Sequence, residues 1–262
     1  MTWQTAYQSA QGCVTLQGEC AREGDELNAF LQGPVAARLN DTQGSEAFTE
    51  HLRGLSLTGM GQAALEEVLA AEVQETRDWA AGEALAEVVL EAHHDVVLPW
   101  NTERDKRNPF ASLPGADIVG FQRDGGTHRL ALGEVKCSSE AKSPPQVMSG
   151  RSGGLTHQID NLASNLSTIC QLLKWLLPRV KNTTHESAFN AACTRFFNSE
   201  QRDLALFGIL VRDQQARESD LQARGRQLAN RLQAPTHCRL IALYLPWPIV
   251  QLPQVIGQGG AA

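Results

Sequence analysis

The sequence predicts an α/β protein with a mixed central sheet flanked by helices. From residue 79 onward, helical and extended patterns follow one another in the order α-β-β-β-α-β-α-β, which is typical of this class. An Asp-Gly-Gly turn signal at Asp124 separates two apolar runs, as in a β-hairpin. The later run 204–211 is apolar throughout, as in strands buried on both faces of a sheet.

Size and composition are those of an ordinary globular protein. The chain has 262 residues, 42% of them hydrophobic and 20% charged, and is long enough to bury a core. No apolar run approaches the roughly 20 residues of a membrane span, and the first residues show no secretory signal pattern. Six scattered cysteines without a C-x-x-C pair argue against a disulfide scaffold and a thiolate zinc site. We therefore expect a cytoplasmic protein without a membrane partner.

Charge is distributed unevenly along the chain. The net charge is −6, but residues 1–98 carry a net charge of −12 and the remaining residues a net charge of +6. Such asymmetry is compatible with polyanion binding by one part of the chain. Taken alone, it favours the simpler interpretation that an acidic helical face is solvated.

The N-terminal part gives the weakest structural signals. Residues 1–58 are polar and rich in Gly and Gln, and we expect irregular structure or short strands there. Two helical patterns follow within 61–94. Glu83 and Glu87 line one face of the second helix, next to its apolar stripe. That stripe consists of Leu85, Ala86, Val89 and Ala92.

The remaining elements define the predicted body of the protein. Strands are expected at 95–100, 117–121, 129–136, 204–211 and 239–245. Helices are expected at 155–177, ended by Pro178, and near 214–232. We divide the chain into an acidic N-terminal extension (1–78), a main domain (79–252) and a flexible tail (253–262).

The triplet Glu134-Val135-Lys136 carries the clearest chemical signal. Side chains alternate along a strand, so Glu134 and Lys136 point to one face and Val135 to the other. Charged groups on an otherwise apolar strand must be compensated by a partner, because an unpaired buried charge is costly. A divalent metal bound by the carboxylates provides such compensation, with the lysine next to the attacking water. Asp117, on the paired strand of the hairpin, offers a second carboxylate.

A second acid-x-lysine triplet shows that the pattern alone is weak. Glu140-Ala-Lys142 lies in a polar loop where no apolar run predicts a strand. The context of Glu134, with its hairpin and following helix and strand, therefore carries the interpretation. The alternative is a simple ion pair on a half-exposed strand.

Asp117 and the Glu134-x-Lys136 triplet resemble the signature of the PD-(D/E)XK nuclease superfamily. Pro114 precedes the aspartate by three residues, whereas the name-giving pattern has the two adjacent. The resemblance covers roughly 79–212 and implies a restriction-endonuclease-like αβββαβ core.

The resemblance also implies roles for individual residues. Asp117 and Glu134 would bind Mg²⁺ or Mn²⁺, with the backbone carbonyl of Val135 as a further ligand. Lys136 would orient or activate the water, and Glu83 would supply a helix carboxylate. Whether Glu83 or Glu87 faces the site stays open. The implied activity is Mg²⁺-dependent hydrolysis of DNA, although composition does not separate DNA from RNA.

The arrangement is also similar to the nuclease-like subunit of the Hachiman anti-phage defence system. That resemblance implies a helicase partner that controls the nuclease. The acidic N-terminal part would then be a docking or masking surface.

The loop after the triplet suggests further contacts. Lys142, Arg151 and Gln158 are candidate nucleic-acid contacts, because this loop leads into a helix N-terminus. The stretch Gly150–Gly154 also fits the G-x-S-x-G nucleophile elbow, with Ser152 as nucleophile, but that motif needs a preceding strand. No P-loop or G-x-G-x-x-G is present, so no nucleotide cofactor is expected. A catalytically inactive nuclease-fold module that binds nucleic acid or a protein is the alternative function.

Overall fold

The computed structural model describes residues 2–55, 57–70, 78–105, 115–150 and 153–257. These residues form a mixed sheet of seven strands with helices on both faces, which confirms the predicted α/β class. The strands are β1 (Trp3–Gln11), β2 (Val14–Ala21), β3 (Val96–Val97), β4 (Ile118–Asp124), β5 (Thr127–Ser138), β6 (Leu204–Arg212) and β7 (His237–Tyr244). The helices are α1 (Asp25–Phe30), α2 (Ala36–Leu39), α3 (Thr42–Arg53), α4 (Gly59–Ala70), α5 (Asp78–His93), α6 (Thr102–Asp105), α7 (Leu155–Ser164), α8 (Leu166–Val180), α9 (Glu186–Asn198), α10 (Ser219–Ala229) and α11 (Leu252–Gly257).

The sheet has the strand order β1-β2-β7-β6-β5-β4-β3. Strands β2, β7, β6 and β5 are parallel, and antiparallel strands extend the sheet on either side. The β4–β5 hairpin turns at Gly125 and Gly126, whose φ angles are 54° and 83°. Glycine adopts such angles more readily than any other residue, which explains the Asp-Gly-Gly signal, and the antiparallel pairing of β4 with β5 confirms the hairpin.

Two hydrophobic cores lie on the two faces of the sheet. Helices α7, α8, α9 and α10 cover one face, and α1, α5 and α11 cover the other. The alternation of β5 shows the division, since Leu130 and Leu132 face the first core and Ala131 and Val135 the second.

The N-terminal residues are more ordered than the sequence predicts. Strands β1 and β2 form an antiparallel hairpin, and β2 pairs in parallel with β7. Helices α1, α2 and α3 replace the irregular structure expected before residue 58, so that expectation is wrong for 25–53. Leu27, Leu31 and Val35 repeat every four residues and bury one side of α1 and the following π-helical turn. Residues 1–78 thus contribute two strands to the sheet that the main domain (79–252) also forms.

The expected helix 155–177 is two helices. Asn165 interrupts it with an extended conformation, and its side chain accepts hydrogen bonds from the amides of Ser167 and Thr168. This cap satisfies the first donors of α8 and makes a new helix start favourable. Pro178 lies inside α8 rather than ending it, and in the same last turn Arg179 stacks on Trp175.

Other predicted boundaries also shift. The strand expected at 95–100 has only two residues, the helix expected near 214–232 is shorter, and α9 was not predicted. Ala92 is exposed in the last turn of α5, so its place in the apolar stripe is wrong. Residues 253–257 of the expected tail belong to α11, where Ile256 is buried, and the rest of that tail lies outside the described residues. No helix in the described part of the chain is long and apolar enough to cross a membrane.

Candidate active site

The candidate site forms where β4 begins and β5 continues past it. Ile118 pairs with Gly133, and the amide of Asp117 donates to the carbonyl of Gly133 at 3.0 Å. Beyond this point the Asp117 side chain replaces a strand partner, since its Oδ2 accepts the amide of Val135 at 2.9 Å. The register of the hairpin therefore brings the Asp117 carboxylate against the strand segment that carries Glu134.

Glu134 and Lys136 lie on the same face of β5, as the alternation predicts. Lys136 Nζ lies 2.6 Å from Glu134 Oε1, which makes a charge-assisted hydrogen bond. Glu134 is 6% exposed, whereas Lys136 is half-buried and reaches toward solvent. The pair is thus a buried acid with a partly accessible amine beside it.

The ionisation of Glu134 depends on the charge of the neighbouring Asp117. Burial, followed by the negative charge of Asp117, raises the pKa of Glu134 to about 7, against the opposing effect of Lys136. A hydrogen bond between the two carboxyl groups acts in the same direction. Burial lowers the pKa of Lys136, but its hydrogen bond to Glu134 and nearby negative charges raise it above its ordinary value. Near neutral pH the site therefore holds a protonated lysine beside a Glu134 carboxyl group that is only partly ionised.

Helix α5 brings a third acid toward this group. Gly82 lies close against the side chain of Cys137. Any larger residue at position 82 would clash there, since a Cβ atom would lie 2.3 Å from the Cys137 sulfur. The adjacent Glu83 acts on both neighbours: its charge helps to raise the pKa of Lys136 and that of Cys137. Burial is the larger cause at Cys137, whose pKa rises to about 12.

Glu87 has a different environment one turn further along α5. Its buried carboxylate pairs with Arg38 Nε at 2.5 Å, and Arg38 also stacks over Trp100. Burial raises the pKa of Glu87 despite this pair, and the charge of Asp117 adds to the effect. The charge of Glu83 thus acts on Lys136, whereas Glu87 is engaged by Arg38 of the N-terminal segment. The sequence gives no signal for the Arg38 contact.

Val135 contributes through its backbone. Its side chain is buried in the core on the α5 side of the sheet. Its N–H points toward Asp117, and in an extended strand the N–H and C=O of one residue point to the same side. The carbonyl of Val135 thus lies on the side of the strand that Asp117 occupies.

The donor set suits a hard divalent cation. Two carboxylates and a backbone carbonyl are oxygen ligands, and Mg²⁺ commonly takes one or two carboxylates together with water and phosphate. Among the described residues, no cluster of three or more His, Cys, Asp or Glu side chains could hold a metal ion. A site built from Asp117, Glu134 and Val135 needs only two such side chains.

The residues proposed to contact nucleic acid lie in two places, Gln158 in α7 and Lys142 in the loop before that helix. Leu155, at the start of α7, packs over Gly208, which pairs with Glu134. One turn after Gln158, Asn161 donates to Thr168, and Thr168 lies against the backbone two residues before Asp117. Gln158 itself is half-buried on α7, one turn before Asn161.

The loop before α7 offers less evidence for a role in nucleic-acid binding. Lys142 is exposed, and its carbonyl accepts a hydrogen bond from Arg212 at 3.3 Å. Arg151 and Ser152 lie outside the described residues. The segment Gln146–Met148 is a 3-10 turn, so the strand that a nucleophile elbow requires is missing there.

No protein-family model matches the chain, and no curated protein is similar to it in sequence. The geometry of Asp117, Glu134 and Lys136 therefore provides the evidence on function.

Proposed function

We propose that the chain is a metal-dependent nuclease of the PD-(D/E)XK type that hydrolyses phosphodiester bonds of DNA. The observation that carries the proposal is the convergence of Asp117, Glu134 and Lys136 where β4 begins beside β5. This arrangement fits the restriction-endonuclease-like core that the sequence resemblance implies. A Mg²⁺ or Mn²⁺ ion held by Asp117, Glu134 and the carbonyl of Val135 would polarise the scissile phosphate.

The protein groups around that position have distinct tasks. Lys136 is protonated, so it donates hydrogen bonds to the attacking water or to the phosphate oxygens rather than removing a proton. Glu83 keeps a negative charge near the ammonium group and supports its protonated state. Lys142 and Gln158 are the described candidates for contacts with the nucleic-acid backbone.

Cleavage of supercoiled plasmid tests this proposal. The wild-type protein should nick or linearise the plasmid with Mg²⁺ or Mn²⁺ and leave it intact with EDTA. The variant Asp117→Asn keeps the size of the side chain but removes the charge, and it should lose the activity. Equal cleavage by both proteins would exclude Asp117 from the chemistry.

One observation favours the catalytically inactive alternative. Glu134 Oε1 and Lys136 Nζ pair at 2.6 Å, and Asp117 Oδ2 accepts the amide of Val135. All three side chains thus have partners within the protein when no metal or DNA is bound. A module of this kind would bind DNA unchanged with or without Mg²⁺ and would cleave it under no condition. Parallel binding and cleavage assays separate the two functions.

We also propose that the nuclease belongs to an anti-phage defence system and docks onto a helicase subunit. Helices α3 and α4 support a docking role, because none of their described residues is buried. Large apolar side chains are exposed on or beside them: Phe48, Leu55, Met60 and Val68. Exposed apolar side chains on two helices in contact favour an interaction surface.

The helicase contact is testable with purified proteins. Phe48→Asp together with Met60→Asp should abolish co-elution with the helicase and leave the melting temperature unchanged. Co-elution that survives both changes would place the contact elsewhere.

A further inference from the structure

A trough lies on the side of the sheet opposite to Glu134 and Lys136. It runs between the β1–β2 hairpin and the C-terminal end of α5 and has a volume of about 530 Å³, within the range of small-ligand sites. Glu19, in this trough, aligns across the sheet with Leu243, Val211 and Cys137. Three strand spacings separate Glu19 from β5, about 14 Å in all. The trough is therefore separate from the candidate active site.

Glu19 is a buried carboxylate without a cationic partner. It is 8% exposed, and its Oε1 accepts hydrogen bonds from Thr5 Oγ1 at 2.8 Å and Gln17 Nε2 at 2.5 Å. Both donors are neutral, and within the described ranges no Lys, Arg or His forms an ion pair with Glu19. Buried carboxylates are normally paired with a cation, because the uncompensated charge is costly.

Among the described residues that line the trough, no cationic side chain pairs with Glu19. Burial, followed by the charge of Arg239, lowers the pKa of His94 to about 4, so its imidazole is neutral at neutral pH. Arg22 also lines the trough, but it is exposed, and its Nε and Nη2 both donate to the Gln4 side chain rather than to Glu19. Trp3 adds an aromatic wall, anchored by its edge-to-face contact with Phe30.

We propose that this trough binds an organic cation, a guanidinium or ammonium group on an apolar stem. The carboxylate of Glu19 is the counter-ion, held in place by Thr5 and Gln17. The indole of Trp3 packs against the cation or its stem, an arrangement that aromatic rings favour over cationic groups. The apolar wall at Val89 accommodates the stem.

Isothermal titration of the full chain with methylguanidinium tests the proposal. Saturable binding is expected, and the neutral isostere N-methylurea should not bind. Glu19→Gln should weaken binding about 10- to 100-fold, the effect of one charge-assisted hydrogen bond. The matched control Glu23→Gln removes the same charge from an exposed position nearby and should bind like the wild type.

Three results would overturn the proposal. They are the absence of saturable methylguanidinium binding to the wild-type chain, equal binding of methylguanidinium and N-methylurea, and equal binding by the wild type and Glu19→Gln. The N-methylurea comparison uses wild-type protein alone, so it remains decisive if Glu19→Gln fails to fold. A further arm compares agmatine with a capped pentapeptide containing one central arginine. Tighter binding of agmatine identifies a small molecule as the source of the cation, and tighter binding of the peptide identifies a protein side chain.

Discussion

Glu134 is the residue whose ionisation controls the candidate site most directly. Burial and the neighbouring Asp117 raise its pKa to about 7. Metal ligands must be deprotonated, so a proton on this carboxyl group competes with Mg²⁺. The same raised pKa has a consequence for stability: the proton-linked stabilisation of the metal-free protein is lost as the pH rises through about 7.

The first prediction concerns the pH dependence of metal binding. Apparent Mg²⁺ affinity should rise roughly tenfold per pH unit below pH 7 and level off above it, because deprotonation is then complete. Titration calorimetry at several pH values measures this dependence. A flat profile across neutral pH would show that Glu134 is not a ligand.

The second prediction separates the two acids of α5. Arg38→Gln leaves the buried Glu87 without its partner and should lower the free energy of unfolding by about 3 kcal/mol. Glu83→Gln should change stability by less than about 1 kcal/mol but slow cleavage, because Glu83 acts on Lys136. Urea denaturation and cleavage rates measure the two effects. The reverse assignment, with Glu83 structural and Glu87 needed only for activity, would contradict this account.

At the scale of elements, the approach of α5 to β5 fixes the position of Glu83. Gly82 permits this approach, since a Cβ there would lie 2.3 Å from the Cys137 sulfur. The packing of Gly82 against Cys137 therefore determines how close Glu83 lies to Lys136. The helix cannot move away from the strand without taking Glu83 away from Lys136.

The third prediction uses this contact in a double-mutant cycle. Gly82→Ala should destabilise the protein by about 1–3 kcal/mol and lower cleavage, because α5 must shift. Cys137→Ala removes the sulfur, so the double variant should recover most of both losses. Strictly additive effects would mean that the two residues do not interact.

Some of the elements could be predicted from sequence and others could not. The hairpin, β5, β6 and β7 follow from apolar runs and a glycine turn, which are local signals. The break at Asn165 is also local, but the heptad-like apolar spacing on both sides conceals it. Helices α1 to α3 were not predicted because their sequence is mostly polar and has only a few buried apolar positions, such as Leu27 and Leu31.

The candidate site shows the same limit. The shared face of Glu134 and Lys136 follows from strand alternation, so the sequence alone predicts it. The Asp117–Val135 hydrogen bond depends on where β4 begins in the register of the hairpin, and the choice between Glu83 and Glu87 depends on Arg38. These contacts are set by tertiary structure.

At the scale of the whole molecule, the N-terminal hairpin completes the sheet. Strand β2 covers the edge of β7 along seven residue pairs, and Val14 and Leu16 are fully buried in the core. Without this hairpin, β7 would be an exposed apolar edge, which promotes aggregation. The acidic N-terminal part is therefore structural as well as a candidate docking surface.

The fourth prediction follows from this role. A chain that lacks residues 1–21 should aggregate or unfold, whereas a chain that lacks residues 258–262 should behave like the wild type. Size-exclusion chromatography and circular dichroism measure both. A monomeric, folded and active protein after the N-terminal deletion would show that 79–252 is self-sufficient.

The central claim is that Asp117, Glu134 and Lys136 form one metal-dependent active site. The most direct test is the single-turnover cleavage rate of a labelled DNA duplex in Mg²⁺, compared between the wild type, Lys136→Ala and Lys181→Ala. Lys181 is exposed on the surface and serves as the matched control. We predict a loss of about 10²- to 10³-fold for Lys136→Ala, no change for Lys181→Ala, and no cleavage in EDTA. Equal rates for the wild type and Lys136→Ala would contradict the claim.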